Sequence, residues 1–369
     1  MRSGDRPRAT AGSPRQEDGE LKAITVIPGR PDQVRVSDLD EPTPGPDDLL
    51  VEGRLLGICG TDTDIVEGHD YGWPPPGRER LVIGHESLGT VIQAPPGTPF
   101  APGDLVAGMV RRPDPVPCEP CGHGEPDFCR NGLYTERGIK ELDGYGSQRW
   151  VVDTQYAIKL DPGLGDCGVL LEPASVLAKA WEQSERIFSR ATWRPKVALV
   201  TGAGPIGLLA ALMGVQRGLE VHVLDLHDRG PRRRLVTDLG AAFHVGELGD
   251  LDVVPDVVME CTGHGPLVFG LAERVAPDAV ICLLGIMPAA HPAEARLDEI
   301  NKQMVLKNTV VFGSVNASRR NFEQAADALS KADRGWLTRM ITRRIPMRDF
   351  ADGLHKHPDD VKVVVDLQV

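Results

Sequence analysis

Short apolar runs broken by turn clusters fill the first third of the chain, at 23–27, 48–56, 81–84 and 88–92, with Pro-Gly and Pro-Asp pairs between them. Runs of that length between such breakers predict strands. From 113 to 129 no periodicity survives, which predicts a lobe or long loop. Beyond Gly144 more strands follow. Val176, Leu177, Ala180, Trp181 and Ile187 then keep to one face of a helix over 172–189. At Lys196 the texture changes to strand and helix in alternation. The run 197–201 leads through a Gly-rich turn into a helix over 205–217 and a strand over 220–225, and further apolar strands lie at 257–260, 279–285 and 310–315. That alternation predicts a parallel sheet covered on both faces. From about Phe322 the pattern returns to a helix and a last strand, 361–369. The fold class expected is α/β with two units: a β-rich unit over 21–190 rejoined by 317–369, and a doubly wound unit over 191–316. Residues 1–20, which carry almost no large apolar side chain, form a tail that builds no core.

Length agrees with this division, since 369 residues suit two domains of roughly 100 to 200 residues, each able to bury a core. A net charge of −12, with no basic block longer than Arg232-Arg233-Arg234, argues against nucleic acid as a partner. The longest apolar runs, such as 208–215, fall short of the ~20 residues needed to span a bilayer, so no membrane association is expected. Seven cysteines, an odd number, are better explained as thiolate ligands and packed thiols than as disulfides. That usage predicts a cytoplasmic protein.

The Gly-rich turn carries the first chemistry. Gly202-Ala-Gly204-Pro205-Ile206-Gly207 follows a buried strand and opens an apolar helix. In that setting the first Gly allows the tight turn, the second lets the backbone approach a pyrophosphate, and the third lets helix and strand pack closely. Asp225 ends the next strand, eighteen positions after Gly207, where its carboxylate can accept from ribose hydroxyls. Thr262 and Gly285, at the ends of two later strands, complete the candidate cofactor contacts. A carboxylate at 225 repels a 2′-phosphate, so NAD is the expected cofactor, with NADP open through Arg229 or Arg232.

A second constellation is spread along the chain: Cys59 and Thr61 in Gly57-Ile-Cys59-Gly-Thr61-Asp62, His85 and Glu86 after Gly84, and Glu172 in Leu170-Leu-Glu172-Pro. Cys, His and Glu are competent zinc ligands, and three protein ligands with an open fourth position describe a catalytic zinc site. In order and wording these motifs resemble the zinc-dependent medium-chain dehydrogenases, within them the prokaryotic glucose and aldose dehydrogenase branch, over nearly everything after Leu21. The resemblance implies a GroES-like catalytic domain beside a Rossmann domain. It also implies Cys59 and His85 as zinc ligands, Glu86 as a conditional ligand, Glu172 in the third position, and Thr61 as the hydroxyl that passes the substrate proton outward. Glu136 and Asn316 would lie near sugar hydroxyls. Val176 and Leu306 are apolar where that branch tends to carry polar contacts, which points to a sugar, cyclitol or other polyol whose hydroxyl pattern differs from that of glucose. Relatives also imply a homo-oligomer, a dimer or tetramer, joined at the Rossmann sheet edge.

Three anionic ligands would outweigh the metal's charge and leave a feeble Lewis acid. Glu86 or Glu172 is therefore expected to leave the metal and to act as proton acceptor. Cys118, Cys121 and Cys129 resemble the structural-zinc lobe of the same family, with Pro115 where a fourth Cys is expected and Asp114 or His123 as substitutes. Trp73 is the one candidate stacking platform for a sugar ring. Cys167, Cys261 and Cys282 read as packed thiols. Two other functions stay open at this point: an alcohol dehydrogenase for apolar alcohols, and a nucleotide-binding relative without catalysis.

Overall fold

The computed structural model describes residues 21–69, 71–286 and 296–369; the predicted tail at 1–20 lies outside the described residues. Strands 197–201, 220–225, 242–245, 257–260, 280–283 and 310–313 form one parallel six-stranded sheet. Its order is Ala242–Val245, Glu220–Asp225, Val197–Thr201, Val257–Glu260, Val280–Leu283, Val310–Gly313. The chain moves outward from the central strand in one direction and then in the other. This creates a crevice at the carboxyl ends of the strands, where dinucleotides bind in Rossmann folds. The central strand is buried on both faces, and the helix Pro205–Gln216 after it is apolar nearly all round, as a helix sunk between sheet and neighbours must be.

The β-rich unit is built on the long strand Asp48–Gly57. Glu86–Gln93 pairs along one edge of it, and Arg149–Asp153 and Lys362–Asp366 share the other. The C-terminal chain thus returns to the first sheet. It brings with it Ile341–Pro346, which pairs in parallel with Lys362–Asp366. Sequence pattern misses Ile341–Pro346 because its middle is Thr342-Arg343-Arg344. It misses Arg30–Leu39 for the same reason, since that strand lies at an edge and buries no residue fully. The helix Leu171–Phe188 packs on both the Rossmann helix Pro205–Gln216 and the returning helix Arg319–Ser330, so one of the two apolar cores runs through both units. No helix among the described residues is long and apolar enough to cross a membrane.

Candidate metal and cofactor site

Gly57 sits where three chain segments meet. It pairs with Glu86 on one side and with Val364 on the other. A Cβ at Gly57 would collide with Glu86 Oε2 and stand 2.9 Å from Lys362 Cε. Only glycine leaves room for the Glu86 carboxylate and the Lys362 ammonium to form the buried ion pair seen there. Lys362 also donates to the Ile58 carbonyl at 2.9 Å. Two residues on, Cys59 caps the helix Gly60–Glu67, and its N–H donates to Asp62 Oδ2 at 2.8 Å.

The structure brings ligand atoms of Cys59, His85 and Glu86 within 4.8 Å of one another. Behind His85, Asp62 Oδ1 stands 3.6 Å from Nδ1, and neither atom has a hydrogen-bond partner among the described residues. Buried polar atoms rarely stay unpaired. A carboxylate behind an imidazole is the arrangement that orients a metal-binding histidine. Burial alone would lower the pKa of His85, but the charges of Asp62 and Cys59 outweigh it and push it well above the ordinary value. Such an accumulation of negative charge around one buried imidazole suits a divalent cation. The donor set of thiolate, imidazole and carboxylate fits zinc.

Glu172, at the start of the helix Leu171–Phe188, does not join the three-atom cluster, yet it interacts electrostatically with His85, Glu86 and Lys362. Burial, with help from Glu86, pushes its carboxyl up to about 7, against the pull of His85 and Lys362. Thr61 Oγ1 lies 3.8 Å from Cys59 Sγ. Asp62 and Lys362 are therefore the two residues of this centre to which sequence reasoning gave no role. For Lys362 a signal existed: it is the lone charge in the apolar run Val361–Val365.

Glu136 and Asn316 come together across a long stretch of chain. Asn316 Nδ2 donates to Glu136 Oε1 at 2.8 Å, and Arg111 Nε and Nη2 reach the same oxygen at 3.0 and 2.9 Å. Glu136 Oε2 is left out of these bonds. Lys179 holds the neighbouring backbone by donating to the Val315 carbonyl at 2.9 Å while pairing with Asp127 at 2.7 Å. Arg111 and Lys179 were both missed from sequence. Val176 is partly buried against the core, Leu306 is 70% exposed, and Trp73 is 46% exposed.

At the nucleotide end Gly202 has φ +86° and opens the turn. A Cβ on Gly204 would meet nothing within 4 Å, so the backbone faces open space there, whereas one on Gly207 would collide with the Gly202 carbonyl. Gly204 thus leaves the room a pyrophosphate needs, and Pro205 and Ile206 begin the helix that points at it. Asp225 accepts from the Ala203 N–H at 2.8 Å and the His227 N–H at 3.0 Å. A cleft of about 520 Å³ opens beside Gly202, Asp225, Leu226, Gly246 and Thr262. The buried Glu260, another residue sequence reasoning passed over, fixes the Thr262 turn by accepting from the Thr262 N–H at 2.8 Å and its hydroxyl at 2.5 Å. Gly285 packs backbone to backbone on Gly263, where a Cβ would clash.

The three lobe cysteines also converge, with ligand atoms within 4.8 Å of one another. Asp114, expected as a fourth ligand, is not in the cluster. Its oxygens accept from the Val116 N–H at 2.8 Å and the Asn131 amide at 2.7 Å. His123 Nδ1 instead lies 2.7 Å from the Glu119 carbonyl.

Residues 165–367 match the family described as Glucose dehydrogenase C-terminus, and residues 45–162 match the Alcohol dehydrogenase GroES-like domain. The chain belongs to the zinc-dependent glucose dehydrogenase-like medium-chain dehydrogenases. It is 36% identical over 358 residues to glucose 1-dehydrogenase of Methanocella arvoryzae, covering 94% of this chain and 99% of that one. With glucose 1-dehydrogenase of Thermoproteus tenax it shares 37% identity over 356 residues, covering 94% and 100%. Among solved structures, Haloferax mediterranei glucose dehydrogenase in complex with NADP, Zn and gluconolactone matches with a TM-score of 0.85 at 29% identity, covering 94% and 99%. The GroES-like and Rossmann architecture is thereby established, as is the class: a zinc-dependent oxidoreductase acting on CH–OH donors with a nicotinamide cofactor.

Proposed function

We propose that this dehydrogenase oxidises a secondary or hemiacetal hydroxyl of a sugar, cyclitol or related polyol and delivers the hydride to NAD in preference to NADP. The observation that carries the reading is the buried Cys59–His85–Glu86 cluster, backed by Asp62 and Lys362 and sharing one core with a dinucleotide-binding fold. Zinc bound there would supply the Lewis acidity that lowers the pKa of a substrate hydroxyl. Cys59, His85 and Glu86 would hold it, with Asp62 behind the His85 ring to orient it. Lys362 pairs with Glu86 and offsets part of the negative charge that this donor set would bring to a metal. Glu172, whose carboxyl sits near neutrality, accepts and returns a proton. Thr61 passes the hydroxyl proton outward. Gly204 and the helix starting at Pro205 seat the pyrophosphate, and Asp225 accepts from the ribose.

Glu136 supports a polyhydroxy substrate. Arg111 and Asn316 saturate one of its oxygens, which leaves the other as an acceptor for a hydroxyl. The gluconolactone held by the Haloferax protein agrees with a cyclic hemiacetal as reductant, since its two-electron oxidation gives a lactone. The apolar Val176 favours a hydroxyl pattern other than that of glucose. For assembly, the edge strand Val310–Gly313 and the exposed Leu297, Val305 and Leu306 of the helix Leu297–Lys307 favour a homodimer across the sheet edge.

The decisive experiment couples metal analysis of the dialysed protein with an NAD and NADP reduction screen over aldoses, cyclitols, polyols and simple alcohols. Retained zinc and fastest turnover of a polyhydroxy substrate with NAD are expected. A best substrate among simple apolar alcohols would replace this reading with the alcohol dehydrogenase one. A kcat/KM ratio favouring NADP more than about tenfold would overturn the cofactor preference.

A further inference from the structure

The groups behind Glu136 form a closed circuit. Asn316 Nδ2 and Arg111 Nε both donate to Glu136 Oε1. Arg111 Nη1 reaches on to the Asp127 carbonyl at 3.3 Å, and Asp127 Oδ2 pairs with Lys179 Nζ at 2.7 Å. Lys179 closes the circuit by donating to the carbonyl of Val315, the residue before Asn316, at 2.9 Å. All five residues whose side chains take part, Arg111, Asp127, Glu136, Lys179 and Asn316, are less than a tenth exposed.

The turn held by Lys179 is one that needs holding. Asn316 has φ +60°, in the left-handed region that a residue other than glycine enters at a cost. The turn also follows directly on the nucleotide sheet, since the Ser314 N–H donates to the Leu283 carbonyl at 3.1 Å. Lys179 approaches it from the helix Leu171–Phe188, where Glu172, Val176 and Lys179 stand at i, i+4 and i+7 and share one face. Seven residues of helix span about 10 Å. One rigid element thus carries the proton acceptor in its first turn and, about two turns on, the ammonium that pins the Asn316 turn.

Stability does not account for the charge pair. Asp127 Oδ1 is buried with no hydrogen-bond partner among the described residues, and burial lowers the pKa of Lys179 against the pull of Asp127. A buried ion pair of this kind is a weak source of stability.

We propose that Lys179, held in place by Asp127, is a positioning residue for substrate recognition: it locks the Val315–Asn316 turn and thereby sets where Glu136 offers its second oxygen to a substrate hydroxyl. This rests on the polyol reading above and deepens it. Recognition of a hydroxyl away from the metal is then separable from the chemistry at the metal, because Lys179 touches neither the Cys59 cluster nor the cofactor turn at Gly202–Gly207.

The test is steady-state kinetics on the zinc-loaded full chain, with saturating NAD and the aldose or cyclitol that it oxidises fastest. Lys179→Met is expected to raise KM for that substrate about tenfold, with kcat and KM for NAD within twofold. Glu136→Gln, the direct contact, should raise it at least as much. The neutral double variant Lys179→Met/Asp127→Asn separates positioning from folding: it should regain the Tm lost in the single variant and keep the raised KM. An unchanged KM in Lys179→Met beside a raised one in Glu136→Gln would overturn the proposal and leave the polyol reading standing. Recovery of KM together with Tm in the double variant would also overturn it, making the pair structural. An unchanged KM in Glu136→Gln, or no aldose or cyclitol oxidised at all, would remove the reading itself and the proposal with it.

Discussion

Cys59 and Cys118 each stand beside further metal-binding side chains, yet the shells behind them have little in common. Behind the Cys59 cluster lie two buried charged groups turned toward the site: Asp62 facing His85, and Lys362 pairing with Glu86. Behind the Cys118 cluster the two groups that could supply a fourth ligand are already engaged elsewhere. Asp114 is held by Val116 and Asn131, and His123 by Glu119. The Arg130 N–H donates to Cys118 and brings that thiol down to about 7, while burial pushes Cys121 up to about 11. The lesson is that a set of donors makes metal binding possible, whereas the groups behind them commit a site to it. Buried charges such as Asp62 and Lys362 are costly without a purpose. Three thiols in a loop cost little when empty.

The largest effect separating the two is expected from the ligands themselves. His85→Ala or Cys59→Ser should lower kcat/KM by about 10³-fold or more, because the reaction then lacks its Lewis acid. Cys118→Ser should change it by less than about twofold. Steady-state kinetics on the three variants checks this, and a comparable loss in Cys118→Ser would erase the distinction. Next in size is Lys362→Met. It leaves Glu86 as an uncompensated buried charge and should cost about 3–5 kcal/mol in denaturant unfolding. Adding Glu86→Gln should recover a large part of that loss. No recovery in the double variant would mean that Lys362 serves the fold by packing and not by charge.

How far the sequence reveals these two regions follows from how local each one is. The Gly202–Gly207 turn is legible because strand, turn and helix are contiguous, and Gly204 and Gly207 do in the structure what their spacing requires. Cys59, His85 and Glu86 are legible as residue types, and the antiparallel pairing of Gly57 with Glu86 is what brings them together. Lys362 is not legible in that way, because it reaches the site only when the last strand returns to a partner 304 positions earlier. Glu172 was expected with the ligands and stands apart from the cluster, a matter of side-chain reach that spacing does not encode. Arg111, the partner of Glu136, follows an apolar residue and precedes another Arg, and nothing in that pattern marks it.

A smaller effect tests the role of Asp62. Asp62→Asn keeps the size of the side chain and its link to the Cys59 N–H but removes the charge facing His85. Loss of such a supporting group costs about 10–100-fold in metal affinity or activity. Zinc affinity measured by competition with a chelator should fall by that amount, with unfolding stability of the metal-free chain nearly unchanged or improved. Burial raises the carboxyl of Asp62 even in the presence of His85, so the native charge is held there at a cost to the fold. A stability loss larger than the loss of metal affinity would make Asp62 a structural residue.

The smallest effect concerns the lobe. Three cysteines fall one short of the four protein ligands that close a structural zinc site, and the two candidates for the fourth place are engaged elsewhere. Any metal held by Cys118, Cys121 and Cys129 is therefore expected to leave first during titration with a chelator. Metal content should drop toward one zinc per chain while activity persists, and only later should activity follow the second metal. The first loss should still be felt in the fold. Asp127, in the turn just before Cys129, pairs with the buried Lys179, and the Asp127 carbonyl accepts from Arg111 at 3.3 Å. A loosened lobe thus reaches Glu136 through Arg111. A fall of a few degrees in Tm with a modest rise in KM and an unchanged kcat is the expected signature. Simultaneous loss of metal and activity would show instead that the lobe and the catalytic centre hold metal equally well, despite the difference in what stands behind them.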